Sequence, residues 1–361
     1  MTAPATMDQL HDAAGVVHVH STHSDGTGTV RQIAAAARHN GLDFVLLTDH
    51  DTLAAKERGE EGWYGPVLVV VGEEVSPIGQ NHYLAFGLDR PIRHRGLSPA
   101  EIVQSVNEAG GFGFLSHPFS RGSERFRRAA GMPWRDLECA GYAGLELWSF
   151  VTDTAERIGG VADIFRFVFT PGRFVDKPPQ RNLDEWDGLC RVRRCVALGG
   201  VDAHQIGIRI GPVVPLRLMS YRRSFGFLHT HLLLDGPPSG ELEADRSSLH
   251  AAMLAGRAYL AMDSLAPARG FRFGLEGETA LAMGDEATFE GPCDIAVSLP
   301  TRARVRLLCD GAEVAVAEDA TELRHVADRP GVYRVEAYLR AHGRERTWIL
   351  SNPIYLREAA V

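Results

Sequence analysis

Between residues 18 and 25 the sequence HVHSTHSD places three histidines and an aspartate within eight positions, directly behind the apolar run GVV. Imidazoles and carboxylates at that density make either a solvated loop or a metal site. The rest of the chain repeats the pattern. Asp49 and His50 close LLTDH, Glu73 and Glu74 close VVVGEE, and His82 opens HYLAFGL. His117 closes FGFLSH, and Asp202 and His204 close ALGGVDAH. A solvated loop would have no reason to be echoed at so many segment ends. Neutral imidazole with carboxylate suits divalent zinc, manganese or iron. No cysteine joins the set, so soft-metal and structural-zinc readings fall away. Six histidines, His23 left aside, with several carboxylates exceed what one ion can hold. Several ions sharing a bridging carboxylate fit better, and two close divalent ions suit the displacement at a phosphoryl group.

These residues need elements that bring them together. GVVHVH, LDFVLLTDH, PVLVVVGEEVS, NHYLAFGL, FGFLSHPF, YAGLELWSF and CVALGGVDAHQ read as short buried strands, several of the continuous apolar kind found in parallel sheets. TVRQIAAAARHNG has helical spacing at Val30, Ile33, Ala34 and Ala37, with Gly41 as its stop. Ser98, Pro99 and Glu101 form a capping box ahead of a second helix, ended by Gly110 and Gly111. LDEWDGLCRVRR reads as a third, and residues 150–182 as irregular. Repeated βα units point to an α/β fold with a parallel sheet or barrel, whose C-terminal strand ends share one face. His18 and His20, two apart on a strand, are expected to face the same way, as are Asp202 and His204. From about residue 265 the texture turns to short strands broken by Gly, Pro and Asp, which reads as an all-β sandwich. The predicted domains are therefore 1–264 and 265–361.

HVHSTHSDGT, LLTDHDT, GEEVS, NHYLAFG, FLSHP and GGVDAH, in this order, resemble the motifs of the PHP (polymerase and histidinol phosphatase) superfamily. The motifs run from about residue 16 to 205. The resemblance implies a distorted (β/α)7 barrel with a two- or three-metal phosphoesterase site. Its metal ligands would be His18, His20, Asp25, His50, Glu74, His82, His117, Asp202 and His204, with Glu74, Asp202 and His204 in catalytic roles. Glu74 is preferred to Glu73 because the family pattern is Gly, any residue, Glu, and Gly72 sets the register. Glu74 would bridge two ions. Val201 departs from the small polar residue usual before the last aspartate. PGVYRVEAYLR and WILSNPIYL resemble the β-sandwich appended to some bacterial PHP proteins.

Other residues read more blandly. His23 fits no family position, and Asp49 and Glu73 read as orienting or structural groups. A second HxH, His229 and His231 in FLHTHLLL, has no carboxylate motif beside it. Arg121 and Arg209 follow predicted ligands closely and are the candidate phosphate-binding arginines, since the guanidinium fork matches phosphate oxygens. The formal net charge of −8 argues against a general nucleic-acid binder. No phosphate-binding loop or dinucleotide fingerprint occurs. Five scattered cysteines, no signal-type start and no bilayer-length apolar run read as a cytoplasmic protein. The expected function is metal-dependent hydrolysis of a small phosphate ester, a phosphomonoester or nucleotide, by a hydroxide bridging two of two or three ions (zinc, manganese or iron). The alternatives are an exonuclease or oligonucleotide phosphodiesterase, and a non-catalytic metal-containing binding protein. The expected partner is a small phosphorylated substrate; nucleic acid enters only as short oligonucleotides, and membranes not at all. Oligomerisation through the C-terminal domain is left open.

Overall fold

The run GVVHV, rich in β-branched residues, builds the first strand, β1 (His11–Val19). The computed structural model describes residues 10–123, 131–170, 174–210, 213–277 and 280–359. After β1 come helix α1 (Val30–His39), β2 (Phe44–His50) and the short helix α2 (Ala54–Glu57). Next are β3 (Gly62–Tyr64), β4 (Val67–Val75), β5 (Tyr83–Phe86), α3 (Pro99–Glu108) and β6 (Phe112–Leu115). Then follow β7 (Gly144–Ser149), α4 (Phe150–Ala155), α5 (Val161–Phe169), a helix over Gln180–Val192 and β8 (Val196–Ala203). By contact the chain divides into two compact units. One comprises residues 14–179 and 198–229, the other 1–13, 180–197 and 230–361.

In the first unit β1 pairs in parallel with β2 and β8, β2 with β4, and β6 with β7. β5 runs antiparallel to both β4 and β6. The sheet closes into a barrel. Strict alternation of strand and helix does not hold. β3 folds back on β4 as an antiparallel hairpin, and β4 passes to β5 without a helix. The reversal of β5 has a direct consequence for the site. His82 precedes the start of β5, and that start lies at the end of the barrel where its neighbour β4 finishes. His82 therefore joins the other strand-end residues although it opens a strand.

Local signals are obeyed where they are strong. Ser98 caps α3 with a full capping box, and Thr29 does the same for α1 through Gln32. Ile33, Ala34 and Ala37 of α1 are buried, as their spacing predicts. Residues 150–182, read as irregular, contain α4 and α5. Burial of Phe150 and Phe167, whose rings lie 6.1 Å apart, orders the segment. All five cysteines are free thiols. Among the described residues no helix is long and apolar enough to cross a membrane.

The second unit is mostly antiparallel. It contains β9 (Ala258–Met262), β10 (Arg272–Glu276), β11 (Cys293–Cys309), β12 (Ala312–Ala327), β13 (Gly331–Ala341), β14 (Arg344–Ser351) and β15 (Ile354–Arg357). β11 pairs with β10, β12 and β13, and β13 with β14 and β15. Phe271, Phe273, Val297, Leu307, Trp348 and Ile354 form part of its apolar core. CDIAVSL and RVRLLCDG, read as separate strands, are one strand of 17 residues. An irregular register between Ser298 and Ala303 lets Pro300 sit inside it, where a regular ladder would need its missing N–H.

Candidate metal centre

The centre begins at a kink. His18 lies at φ 65 inside β1, and the pairing of β1 with both neighbours shifts register between Val17 and Val19. The sequence argument that His18 and His20 share a face by simple alternation is therefore corrected. A bulge re-aims His18, and His20 stands just beyond the strand. Asp202 at φ 52 and His117 at φ 31 are likewise in the left-handed region. Three of the nine candidate ligands thus hold backbone conformations that cost free energy outside a functional site.

The loop carrying Asp25 is pinned by Asp49. Its Oδ1 accepts Ser21 N–H at 2.7 Å and Ser24 O–H at 2.6 Å, and its Oδ2 accepts Ser21 O–H at 2.6 Å. Gly26 makes the return possible, since a Cβ there would fall 2.2 Å from the His20 carbonyl oxygen. On the next strands the parallel register sets His50 of β2 beside Glu74 of β4.

All nine candidate ligands converge. Glu74 Oε2 lies 3.2 Å from His18 Nε2, 3.4 Å from His20 Nε2 and 3.1 Å from His50 Nδ1. Its Oε1 lies 3.0 Å from His82 Nδ1 and 3.4 Å from His117 Nε2. The two oxygens of one carboxylate therefore face two different sets of imidazoles. Asp202 Oδ1 lies 3.4 Å from His18 Nε2, 3.5 Å from His20 Nε2 and 3.4 Å from His204 Nδ1. Asp25 Oδ1 lies 3.1 Å from His204 Nε2 and 3.7 Å from His50 Nε2.

These distances fit ligands of divalent ions. Donors about 2.1 Å from a tetrahedral ion stand roughly 3.4 Å from one another. His18 Nε2 and both ring nitrogens of His20 are buried without a hydrogen-bond partner. An unsatisfied buried nitrogen is costly, and a cation would satisfy the one lone-pair nitrogen that each neutral ring presents. Four overlapping groups could each hold an ion: His20, Asp25, His50 and His204; His18, His20 and Asp202; His18, Glu74 and His117; His50, Glu74 and His82.

The electrostatics agree. Burial would raise Glu74 and Asp202, yet the imidazoles around them hold both carboxyls well below the usual range. Burial would lower His18, but Glu74, Glu146 and Asp202 hold it well above its usual value. His204 is pushed up to about 9 against its burial by Asp25 and Asp202. His20 falls to about 4, through burial and the neighbouring His204. Without an ion the carboxylates are balanced by imidazolium protons. A divalent ion held there would displace those protons and take over the balance.

No protein-family model matches the chain. A stretch of 64 residues is 45% identical to a phosphoribosyl 1,2-cyclic phosphate 1,2-diphosphodiesterase of Eggerthella lenta, covering 17% of this chain and 23% of that protein. An uncharacterized protein of Methanocaldococcus jannaschii is 27% identical over 117 residues, 29% of this chain and 67% of that one. Among solved structures, a two-domain protein of Bacteroides vulgatus with a predicted PHP-like metal-dependent phosphoesterase matches 97% of this chain and 98% of its own, at 14% identity and TM-score 0.46.

Around this centre stand supporting groups. Ser116 O–H donates to Glu74 Oε1 at 2.8 Å, and Thr152 O–H to Asp202 Oδ2 at 2.7 Å. Ser76 Oγ lies 2.6 Å from His50 Nδ1. Glu146, absent from the sequence reading, lies 3.1 Å from His18 Nδ1. Its signal was a lone acid in the buried run GLELWS. His23 pairs with Glu60 instead. Glu73 accepts Ile92 N–H at 3.0 Å, and burial raises its carboxyl to about 7. His229 donates to the Phe225 carbonyl, and His231 lies between Asp12 and Asp263. The carboxylates that His231 lacks in sequence come from distant segments. Arg121 is exposed, and its backbone N–H donates to Glu156. Arg209 lies in the strand Ile206–Ile210, with its side chain outside the described residues.

Proposed function

We propose that this protein is a metal-dependent phosphoesterase that hydrolyses a small phosphate ester at a centre of two or three divalent ions, zinc, manganese or iron. One observation carries the reading: Glu74 turns its two oxygens to separate sets of imidazoles, among buried ring nitrogens that lack any other partner. The same reading takes the barrel as a distorted (β/α)7 PHP type and the second unit as a β-sandwich. Bound ions supply a Lewis acid and make a water acidic enough to attack phosphorus at neutral pH.

The chain's own residues divide the work. His18, His20, Glu74 and His117 form a buried floor. Asp25 and His204 form the open edge, with side chains 59% and 26% exposed, where a phosphoryl group enters. Glu74 would hold neighbouring ions through its two oxygens, and Asp202 joins the floor to the edge through His18 and His204. Arg121 and Arg209 are the candidate contacts to the phosphate.

A second reading, hydrolysis of a phosphodiester, is favoured by the 45% identical stretch shared with a cyclic-phosphate diphosphodiesterase. Its extension to oligonucleotide ends meets the net charge of −8, which disfavours a long polyanion. A binding protein without catalysis would have no need of so complete a ligand set.

The test is hydrolysis of an aryl phosphomonoester and an aryl phosphodiester by chelated, manganese-restored and zinc-restored protein. Turnover should follow the restored metal, and Asp202→Ala should lower kcat by at least about a hundredfold. Undiminished turnover in Asp202→Ala would refute the mechanism. Metal binding at two or more ions per chain with neither ester hydrolysed would favour the binding protein.

A further inference from the structure

We propose that Glu146 is a positioning residue of the metal centre: its single carboxylate sets the ring of His18 and the main chain of His117 so that both turn a free nitrogen to Glu74. The inference rests on reading the nine donors as a metal centre. Glu146 stands in β7 and is 1% exposed.

Its first contact selects a tautomer. Oε1 and Oε2 lie 3.1 and 3.2 Å from His18 Nδ1. A carboxylate only accepts, so Nδ1 carries a proton. In a neutral ring Nε2 then keeps its lone pair. That nitrogen is the one 3.2 Å from Glu74 Oε2 and 3.4 Å from Asp202 Oδ1, buried with no hydrogen-bond partner. A histidine ligand held through its other nitrogen by a carboxylate is oriented and made more basic.

The second contact holds a strained backbone. Glu146 Oε2 accepts the His117 N–H at 2.7 Å, and His117 lies at φ 31. A charge-assisted bond of this kind offsets part of the strain. His117 Nδ1 donates to the Met132 carbonyl at 3.3 Å, and its Nε2 lies 3.4 Å from Glu74 Oε1.

The third observation is the space the carboxylate needs. A Cβ at Gly200 of β8 would fall 1.7 Å from Glu146 Oε1. Residues from β1, β7 and β8, and the segment just after β6, therefore meet at one carboxyl group. If Glu146 only filled a buried space, an isosteric amide would serve as well. Glu146→Gln separates the two roles. Glutamine has one acceptor oxygen for two N–H groups. If that oxygen keeps the His117 N–H, the NH2 faces His18 Nδ1 and favours the tautomer protonated at Nε2, which cannot bind an ion.

The experiment uses the full chain loaded with zinc. Nitrogen-15 NMR of the histidine rings reads the His18 tautomer, and competition with a chromogenic chelator reads zinc affinity. In the wild type His18 should carry its proton on Nδ1. Glu146→Gln should weaken zinc binding about ten- to a hundredfold. Gly200→Ala, which keeps the carboxylate but displaces it, should weaken binding in the same direction. A wild-type His18 protonated on Nε2 overturns the proposal without recourse to any variant, so it stays testable if a variant fails to fold. Zinc affinity within about twofold of wild type in both variants also overturns it. Wild-type protein that binds no zinc would sink the metal-centre reading itself, and this inference with it.

Discussion

At the scale of single residues the centre depends on groups that never reach an ion. Asp49 is the clearest case: three donors of the 21–24 segment end on its carboxylate, and that segment leads to Asp25. Hydrogen bonds to a charged acceptor are worth about 1.5–3 kcal/mol each, and stranded donors cost more than the mean. Asp49→Ala is expected to destabilise the protein by about 3 kcal/mol and to weaken metal retention, although the residue is no ligand. Chemical denaturation and metal analysis after dialysis check both effects. A stability loss with full metal retention would confine Asp49 to a folding role. Asp49 was legible as an orienting group because it adjoins His50 and points elsewhere in an extended chain. Glu146 was not, because nothing near it in sequence reveals that His18 lies across the barrel.

At the scale of elements, strand order brings the ligands together and strand direction selects which ends matter. Helix α3 was legible from its ends. Ser98 and Glu101 satisfy each other's backbone donors, as the capping box in the sequence predicts. Ser98→Ala should cost about 1 kcal/mol in stability and leave metal content and turnover unchanged, since α3 contributes no candidate ligand. A joint loss of activity and stability would mean that α3 is coupled to the centre. The reversal of β5 was not legible. A run of four residues such as YLAF has no direction of its own, and its antiparallel pairing with β4 and β6 is decided by partners far along the chain. The bulge at His18 was hidden for the same reason, since a register shift exists only relative to neighbouring strands.

At the scale of the whole molecule, each unit has its own buried polar group to keep in place. In the antiparallel unit the group is His231, which is fully buried. Its Nδ1 lies 2.8 Å from Asp12 Oδ1 and its Nε2 2.9 Å from Asp263 Oδ2. Tyr259 stacks on its ring at 4.4 Å and donates its O–H to Asp12. Both ring nitrogens face carboxylates, so both carry protons. Burial alone would lower His231, but Asp12 and Asp263 raise it to about 9. An unfolded histidine titrates near ~6.5. The folded value is the higher, so the stabilisation is complete below ~6.5 and is lost as pH rises through about 9. The difference is on the order of 3 kcal/mol. Denaturant midpoints of wild type and His231→Gln should differ most at pH 6 and converge above pH 9. A gap that stays constant across that range would show that the pair acts by shape alone.

Local sequence supplied the donor-type side chains that gather at the strand ends. Short apolar runs and the polar residues that end them are local patterns, and the resemblance of their order to known motifs marked His18, His20, Asp25, His50, Glu74, His82, His117, Asp202 and His204 among them as the candidate ligands. Tertiary structure alone decided how those donors face one another. Glu74 divides its oxygens between two groups of histidines, Glu146 ties His18 to His117, and Gly200 leaves the room for it. Each of these contacts joins residues many positions apart, and closing such loops is directed by the packed barrel as a whole. Local pattern sets which side chains a strand end carries; only the register and direction of its neighbours set what those side chains touch.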